Sequence, residues 1–410
     1  MNDITAGTLR LPTRIHFGYG SRAQLPEVLR GHGRRVLAIV DPFLTRSPVL
    51  AEIRTALRAG GLDVEVHSDI EPELPTASLD TAAEFARTHR PDAILAIGGG
   101  STLDAAKLVG LLVTHGGPLR RYYGENLVPG PTLPVVAMPT TAGTGSEVTP
   151  VAVVSDPGHD MKVGISSPHL VPAAAIVDPL LTLGAPRAVT AHAGIDALVH
   201  AVESYTAADP DRAWDATLPV FTGRNAFTDV IALRAVELLG AALPVAVGDP
   251  DDRQARENVA LGSLLAGIAF GATGTHLSHA LQYPIGAVTG TPHGLGTGLL
   301  LPHVLQVCLT DAGTVPRIAA VGAALGVAPS TVEEQARGAI RAVARLNRAI
   351  GVPASLAEIG VTRDQLPRLA ELAARATRLV AIAPVPAPPT VLLDILDQAY
   401  TGHLAEGNYR

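Results

Sequence analysis

Four side chains in the second half of the chain could together hold a metal ion. Asp196 and His200 stand four residues apart in Gly194-Ile195-Asp196-Ala197-Leu198-Val199-His200, and His279 and His293 follow farther on. Positions i and i+4 share one face of a helix, so Asp196 and His200 can grip one ion together. Two imidazoles from neighbouring helices would complete a four-ligand set, and one carboxylate with three imidazoles suits Fe(II) or Zn(II). The competing reading is that the chain carries 14 histidines, so chance pairs occur. Against it, Asp196 and His200 are embedded among Ala, Leu and Val, where an unpaired carboxylate is costly to bury and a cation removes that cost.

A second set of residues has the chemistry of a nucleotide-phosphate site. The apolar run Asp92 to Ile97 leads into Gly98-Gly99-Gly100-Ser101 and then a helical segment that contains Asp104 and Lys107. Glycines let the backbone turn sharply and approach a ligand, and the free N–H groups and positive dipole end of a helix start favour a diphosphate. A hydroxyl-rich loop, Pro139-Thr140-Thr141-Ala142-Gly143-Thr144-Gly145-Ser146-Glu147, follows another apolar run. Ser, Thr and Gly are ordinary loop residues, but open α/β sheets bind ligands at the C-terminal ends of their strands, where both segments fall. Asp41 closes a third run; there a carboxylate can accept hydrogen bonds from an adenosine ribose and repel a 2′-phosphate, which favours NAD(H) over NADP(H). In the usual dinucleotide fingerprint the glycines precede the acid by about 20 residues. Here the acid comes first, so a G-x-G-x-x-G protein is the wrong comparison.

The elements that must position these residues divide the chain in two. The first half alternates short apolar runs with helical segments, the pattern of a parallel sheet covered by helices. The expected strands are Arg35 to Val40, Asp63 to His67, Asp92 to Ile97, Leu133 to Met138 and Ala174 to Val177. A helix is expected from Ser47 to Ala59, where Ser then Pro make a good start and Gly60-Gly61 a stop. From about Pro186 helical spacing takes over, with helices expected at Ala191 to Thr206, Asn225 to Leu243, Arg253 to Phe270, Thr331 to Ala349 and Arg363 to Leu379. The sequence thus predicts an α/β nucleotide-binding domain over 1–185 and an all-helical, metal-binding domain over 186–410. Ala383 to Pro389 is expected as a proline-rich turn between helices.

Composition narrows the partners. With 410 residues two cores are expected, and 31 basic against 38 acidic residues give a net charge of −7 that offers no field to nucleic acid or an anionic membrane. Cys308 is the single cysteine, so no intrachain disulfide is possible. No secretory leader is evident at the start, and apolar runs such as Leu299 to Leu301 stop short of the roughly 20 residues a membrane span needs. The expectation is a cytoplasmic protein without membrane or nucleic-acid partners.

Taken together, GGGSTLDAAK (98–107), PTTAGTGSEVT (139–149), GIDALVHAVESY (194–205) and HALQYPIGAVTGTPHG (279–294) resemble the iron-containing (group III) alcohol dehydrogenase family, of dehydroquinate synthase-like fold. The resemblance implies an N-terminal α/β nucleotide domain, a C-terminal helical domain and a metal in the cleft between them. It implies that Gly98, Gly99, Gly100 and Ser101 hold the diphosphate and Asp41 the ribose. Thr140, Thr141, Thr144 and Ser146 would line the cofactor, with Asp104, Thr149 and Lys162 as further contacts. Asp196, His200, His279 and His293 match the metal ligands, the last two fourteen residues apart as in the family.

There is one departure. Where many members carry a second histidine four residues after the third ligand, placed to pass the alcohol proton to solvent, this chain has Tyr283. A phenol of ordinary pKa near 10 suits neutral-pH proton exchange less well than imidazole. His276 is a candidate substitute or a support for His279, and the 276–284 pattern also resembles the hydroxyacid–oxoacid transhydrogenase branch.

The expected activity is NAD(H)-linked dehydrogenation of a small aliphatic alcohol, or reduction of an aldehyde, with Fe(II) or Zn(II) and in a homodimer or larger homo-oligomer. Glycerol-dehydrogenase-like zinc enzymes and dehydroquinate-synthase-like lyases are the rival readings on the same fold. A nucleotide-binding protein without catalysis is the rival from another class.

Overall fold

The computed structural model describes residues 7–71, 73–159, 161–209 and 217–404. They fall into two compact units, one spanning Arg10–Ala185 and the other Pro186–Arg410 together with the residues before Arg10. The second unit begins at Pro186, and residues 7–9 group with it. The reason is local, since a Cβ on Gly7 would collide with the side chain of Asn225.

Among its described residues the first unit has nine strands, β1 (Arg14–Phe17), β2 (Arg35–Val40), β3 (Asp63–His67), β4 (Ala93–Gly98), β5 (Gly124–Glu125), β6 (Val135–Pro139), β7 (Val151–Val154), β8 (Val163–Ser166) and β9 (Ala174–Val177). Six of them form one parallel sheet in the order β1-β9-β6-β4-β2-β3. Helices α1 (Leu25–Arg30), α2 (Pro48–Ala59), α3 (Thr76–His89) and α4 (Gly100–His115) link and cover its strands. Alternate residues of β2 enter opposite cores: Leu37 and Ile39 pack in one with α3 and α4, Val36, Ala38 and Val40 in the other with α1 and α2. A sheet buried on both faces needs apolar residues at every position, which is why these strands read as continuous apolar runs. Strands β5, β8 and β7 form a small second sheet that the sequence reading does not anticipate.

The second unit is helical throughout, as expected: α5 (Arg187–Thr206), α6 (Ala226–Gly248), α7 (Arg253–Thr273), α8 (Leu277–Thr289), α9 (His293–Cys308), α10 (Val315–Ala324), α11 (Val332–Ala349), α12 (Leu366–Ala374), α13 (Thr377–Ala381) and α14 (Pro389–Thr401). Helix α5 is the axis of this unit. From Gly194 to Thr206 every residue is buried, the mark of a helix packed on all sides, and α6, α7 and α9 lie against it.

Two expected helices differ. Helix α6 continues through Pro244 to Gly248 because buried Leu243 and Ala246 keep both flanks packed. The single helix expected over Arg363 to Leu379 is divided, since Pro367 fits only the first turn of α12 and the chain breaks between Ala374 and Thr377. A further correction concerns membranes. Among the described residues α6, at 23 residues, is long and apolar enough to cross one, which the sequence reading did not anticipate; in the structure it packs along α5 and α7.

Candidate metal centre and nucleotide-binding loop

The axial helix α5 carries Asp196 and His200 on one face, 4% and 5% exposed. His279 arrives on α8 because the chain turns by 100° between α7 and α8. Gly274 makes that turn at φ +85°, where a Cβ would also run into Ile382 at 2.6 Å. His293 is the first residue of α9, and the next residue, Gly294, lets α9 start close to α5: a Cβ there would stand 2.8 Å from the Cβ of Asp196.

Asp196 Oδ1 lies 3.9 Å from both His279 Nε2 and His293 Nε2, and Asp196 Oδ2 lies 3.8 Å from His200 Nε2. Asp196, His279 and His293 each present a ligand atom within 4.8 Å of the others. These gaps are too long for hydrogen bonds. They are close to the separation of two ligands on one ion, about 3.4 Å for tetrahedral bonds of about 2.1 Å. The rings of His200 and His279 stack at 4.8 Å, with Phe270 of α7 behind His200 at 4.1 Å.

Whether the donor set fits a cation is decided by protons. His279 Nδ1 lies 2.7 Å from Glu203 Oε2 and donates to that carboxylate, so Nε2 carries the lone pair. That Nε2 is buried and has no hydrogen-bond partner. A buried lone pair facing a carboxylate oxygen at 3.9 Å is unfavourable unless something positive stands between them. Thr297 Oγ1 donates to Asp196 Oδ1 at 2.8 Å, orienting the carboxylate. The residues therefore fit a divalent cation.

Glu203 is the functional residue that the sequence reading overlooks. It is 0% exposed and also accepts from the backbone N–H groups of His276 and Ser278 at 2.8 and 2.6 Å. Burial works against its charge, but His276, His279 and these bonds outweigh burial and hold its carboxyl well below the usual range. The sequence does carry a signal for it: a carboxylate three residues after His200 in an apolar helix, like Asp196, requires a partner. His276 is completely buried, with Nε2 2.9 Å from Thr206 Oγ1. Burial lowers its pKa. Tyr283 is half-buried, its ring stacked at 5.9 Å on that of His293.

In the first unit, Asp41 and the glycine turn come together at the ends of β2 and β4. The chain leaves β2 towards β3 on one side and finds β4 on the other, so this is the point where strand order reverses and ligands bind. A Cβ on Gly98 would stand 2.9 Å from the Cβ of Asp41. The Asp41 carboxylate accepts from Phe43 N at 2.9 Å, so it forms the turn as well as facing the glycines. Gly99 is the N-cap of α4, and no side chain caps that helix. A Cβ on Gly100 would meet Thr144 Cγ2 at 2.6 Å and force Thr144 to shift, whereas a Cβ on Gly99 would make only ordinary contact with Thr141 at 3.5 Å. Ser101 is exposed, and Thr140, Thr141 and Thr144 are half-buried.

The remaining expected cofactor contacts have protein partners. Ser146 Oγ donates to Asp104 Oδ1 at 2.5 Å, and Val153 N donates to Asp104 Oδ2 at 2.9 Å. Buried Lys107 donates to the carbonyls of Thr149 and Val151 at 3.0 and 2.9 Å and to the Thr149 hydroxyl at 3.4 Å. Burial brings Lys107 down to about 8, and pushes the neighbouring Glu147 up to about 7. Lys162 pairs with Glu73.

Comparison with known proteins gives a consistent answer. Sequence profiles described as "Iron-containing alcohol dehydrogenase" and "Fe-containing alcohol dehydrogenase family, C-terminal" match residues 12–179 and 190–400. Long-chain-alcohol dehydrogenase 1 of Geobacillus thermodenitrificans is 35% identical over 98% of this chain and 99% of its own. The NAD-dependent methanol dehydrogenase of Bacillus methanolicus is 33% identical over 88% of this chain and 91% of its own. Among solved structures, a 1,3-propanediol oxidoreductase superposes with a TM-score of 0.89 at 30% identity, covering 96% of this chain and 100% of that one.

Proposed function

The chain belongs to the iron-containing alcohol dehydrogenase family and is an oxidoreductase acting on alcohols, and from that premise we propose that it is a metal-dependent, NAD(H)-linked alcohol dehydrogenase or aldehyde reductase for a small aliphatic substrate. The observation that carries the reading is the convergence of Asp196, His200, His279 and His293 with the partnerless Nε2 of His279. Fe(II) or Zn(II) held by Asp196, His200, His279 and His293 would supply Lewis-acid polarisation of a substrate oxygen, and a nicotinamide cofactor held at the glycine turn would supply hydride chemistry.

The chain's own residues supply position. Asp196, held by Thr297, and the three imidazoles fix where the ion sits. The backbone at Gly98, Gly99, Gly100 and Ser101 receives the diphosphate, with Thr140, Thr141 and Thr144 alongside and Asp41 on the ribose, favouring NAD(H). Asp104 and Ser146 hold that loop in shape, while Thr149 and Lys162 border it. Tyr283, whose ring stacks on His293, would pass the substrate proton, and His276, sealed from solvent, would support the ligand network. A 3% aromatic content leaves an aliphatic lining as the simplest one for the pocket. The same resemblance supports a cytoplasmic homodimer or larger homo-oligomer, and the one cysteine, Cys308, is buried as a free thiol.

Short alcohols and aldehydes assayed with NAD(H), with and without Fe(II) or Zn(II), should show metal-dependent net cofactor turnover. Turnover of substrate without net change in NADH would point to the lyase or transhydrogenase relatives. Replacing His200 with Ala should remove metal retention and turnover together, and full activity in that variant would reject the site.

A further inference from the structure

Glu203 stands where three demands meet. It lies seven residues after Asp196 on α5, so both carboxylates face the same side of the axial helix. One of its oxygens accepts from Ser278 N, and the other from His276 N and His279 Nδ1. Helix α8 begins at Leu277 and has no cap from the side chain of His276. Glu203 therefore anchors the helix start and the ligand ring of His279 with a single carboxylate.

We infer that Glu203 is the positioning residue of the metal centre: it locks His279 as an Nε2 ligand, and its charge completes the neutralisation of a divalent cation begun by Asp196. This rests on the metal reading above. The imidazole has two nitrogens, and the one that donates determines the one that coordinates. With the Nδ1 proton directed at a buried carboxylate, His279 presents a fixed lone pair and also becomes a stronger donor. The ion's two positive charges then meet two buried carboxylates, Asp196 directly and Glu203 through the ring. A residue serving only as a helix cap would contribute to folding without altering metal affinity in the folded protein.

Co(II) is the probe that separates these roles. The metal-free protein and its Glu203→Gln, Glu203→Asp and Asp196→Ala variants would be titrated with Co(II) and followed by visible absorption, with melting curves recorded in parallel. Glu203→Gln should weaken Co(II) binding by about 10- to 100-fold in folded protein, with a changed Co(II) spectrum. Glu203→Asp, which keeps the charge, should recover part of that loss, and Asp196→Ala should abolish the site.

If Glu203→Gln does not fold, the Co(II)-loaded parent answers by proton NMR: the Nδ1–H of His279 should appear as a shifted resonance that exchanges with solvent more slowly than that of the more exposed His293. Equal Co(II) affinity in parent and Glu203→Gln, or a fast-exchanging His279 proton, overturns the inference and leaves the metal site standing. Absence of any Co(II) site in the parent overturns both.

Discussion

The two candidate binding regions are built on opposite principles. At the glycine turn the site is made by leaving side chains out: Gly98 and Gly100 admit no Cβ beside Thr102, Asp41 and Thr144, and what faces the ligand is backbone. Nearby polar side chains are already paired, Asp104 with Ser146 and Val153, Lys107 with two carbonyls. At the metal centre the site is made by side chains alone, and they are left opposed: a carboxylate, a buried imidazole nitrogen without a hydrogen bond, and gaps of 3.8 to 3.9 Å. The polar groups of the first region are satisfied within the fold; the second is electrostatically incomplete until something positive enters.

That contrast can be broken most sharply at the metal ligands. Asp196→Ala should lower divalent metal affinity by at least about 100-fold, read by chelator competition, while NAD(H) binding to the glycine loop survives; loss of both would mean that the regions are not separable. Next, Gly100→Ala should displace the Thr144 loop and weaken NAD(H) binding by roughly tenfold, about 1.4 kcal/mol, with metal content unchanged by elemental analysis.

An effect of a different kind, on stability rather than binding, is expected from Glu147. Its folded pKa of about 7 lies above the ordinary 4.5. The folded protein thus keeps a proton that the unfolded chain has lost, and stability falls as pH rises from about 4.5 to 7. Above that window the deficit is constant. Glu147→Gln should flatten the fall and raise stability at pH 8 by about 2–3 kcal/mol, measured by denaturant titration at pH 5 and 8; burial drives the shift and buried Lys107 opposes it. The smallest effect belongs to Asp41→Ser, which should bring NADP(H) affinity closer to that of NAD(H) by about fivefold to tenfold, near 1 kcal/mol, because it removes the negative charge facing a 2′-phosphate.

How much of this was legible in the sequence follows the same division. Strands β2, β3 and β9 and helix α2 with its Ser47 cap appear where the apolar runs and capping residues put them. Strand β1 was missed because it is a half-exposed edge strand with no apolar run to betray it. The β7–β8 pair was missed because its four-residue strands are short and only partly buried. The four metal candidates were readable because i, i+4 spacing and an apolar setting carry the chemistry in residue type. Glu203 was not read, although it obeys the same logic, because its partners His276, Ser278 and His279 are more than 70 residues away and meet it only through the turn at Gly274. Likewise, nothing local announces that Asp104 and Lys107 are consumed by loop and β7 residues about 42 to 49 positions on.

The central claim is tested most directly by crystals of the protein reconstituted with Zn(II) or Fe(II) and measured at the metal's absorption edge. The account predicts one anomalous peak per chain in the second unit, with Asp196, His200, His279 and His293 about 2.0–2.2 Å from it. No peak, or a peak ligated by other side chains, would contradict it.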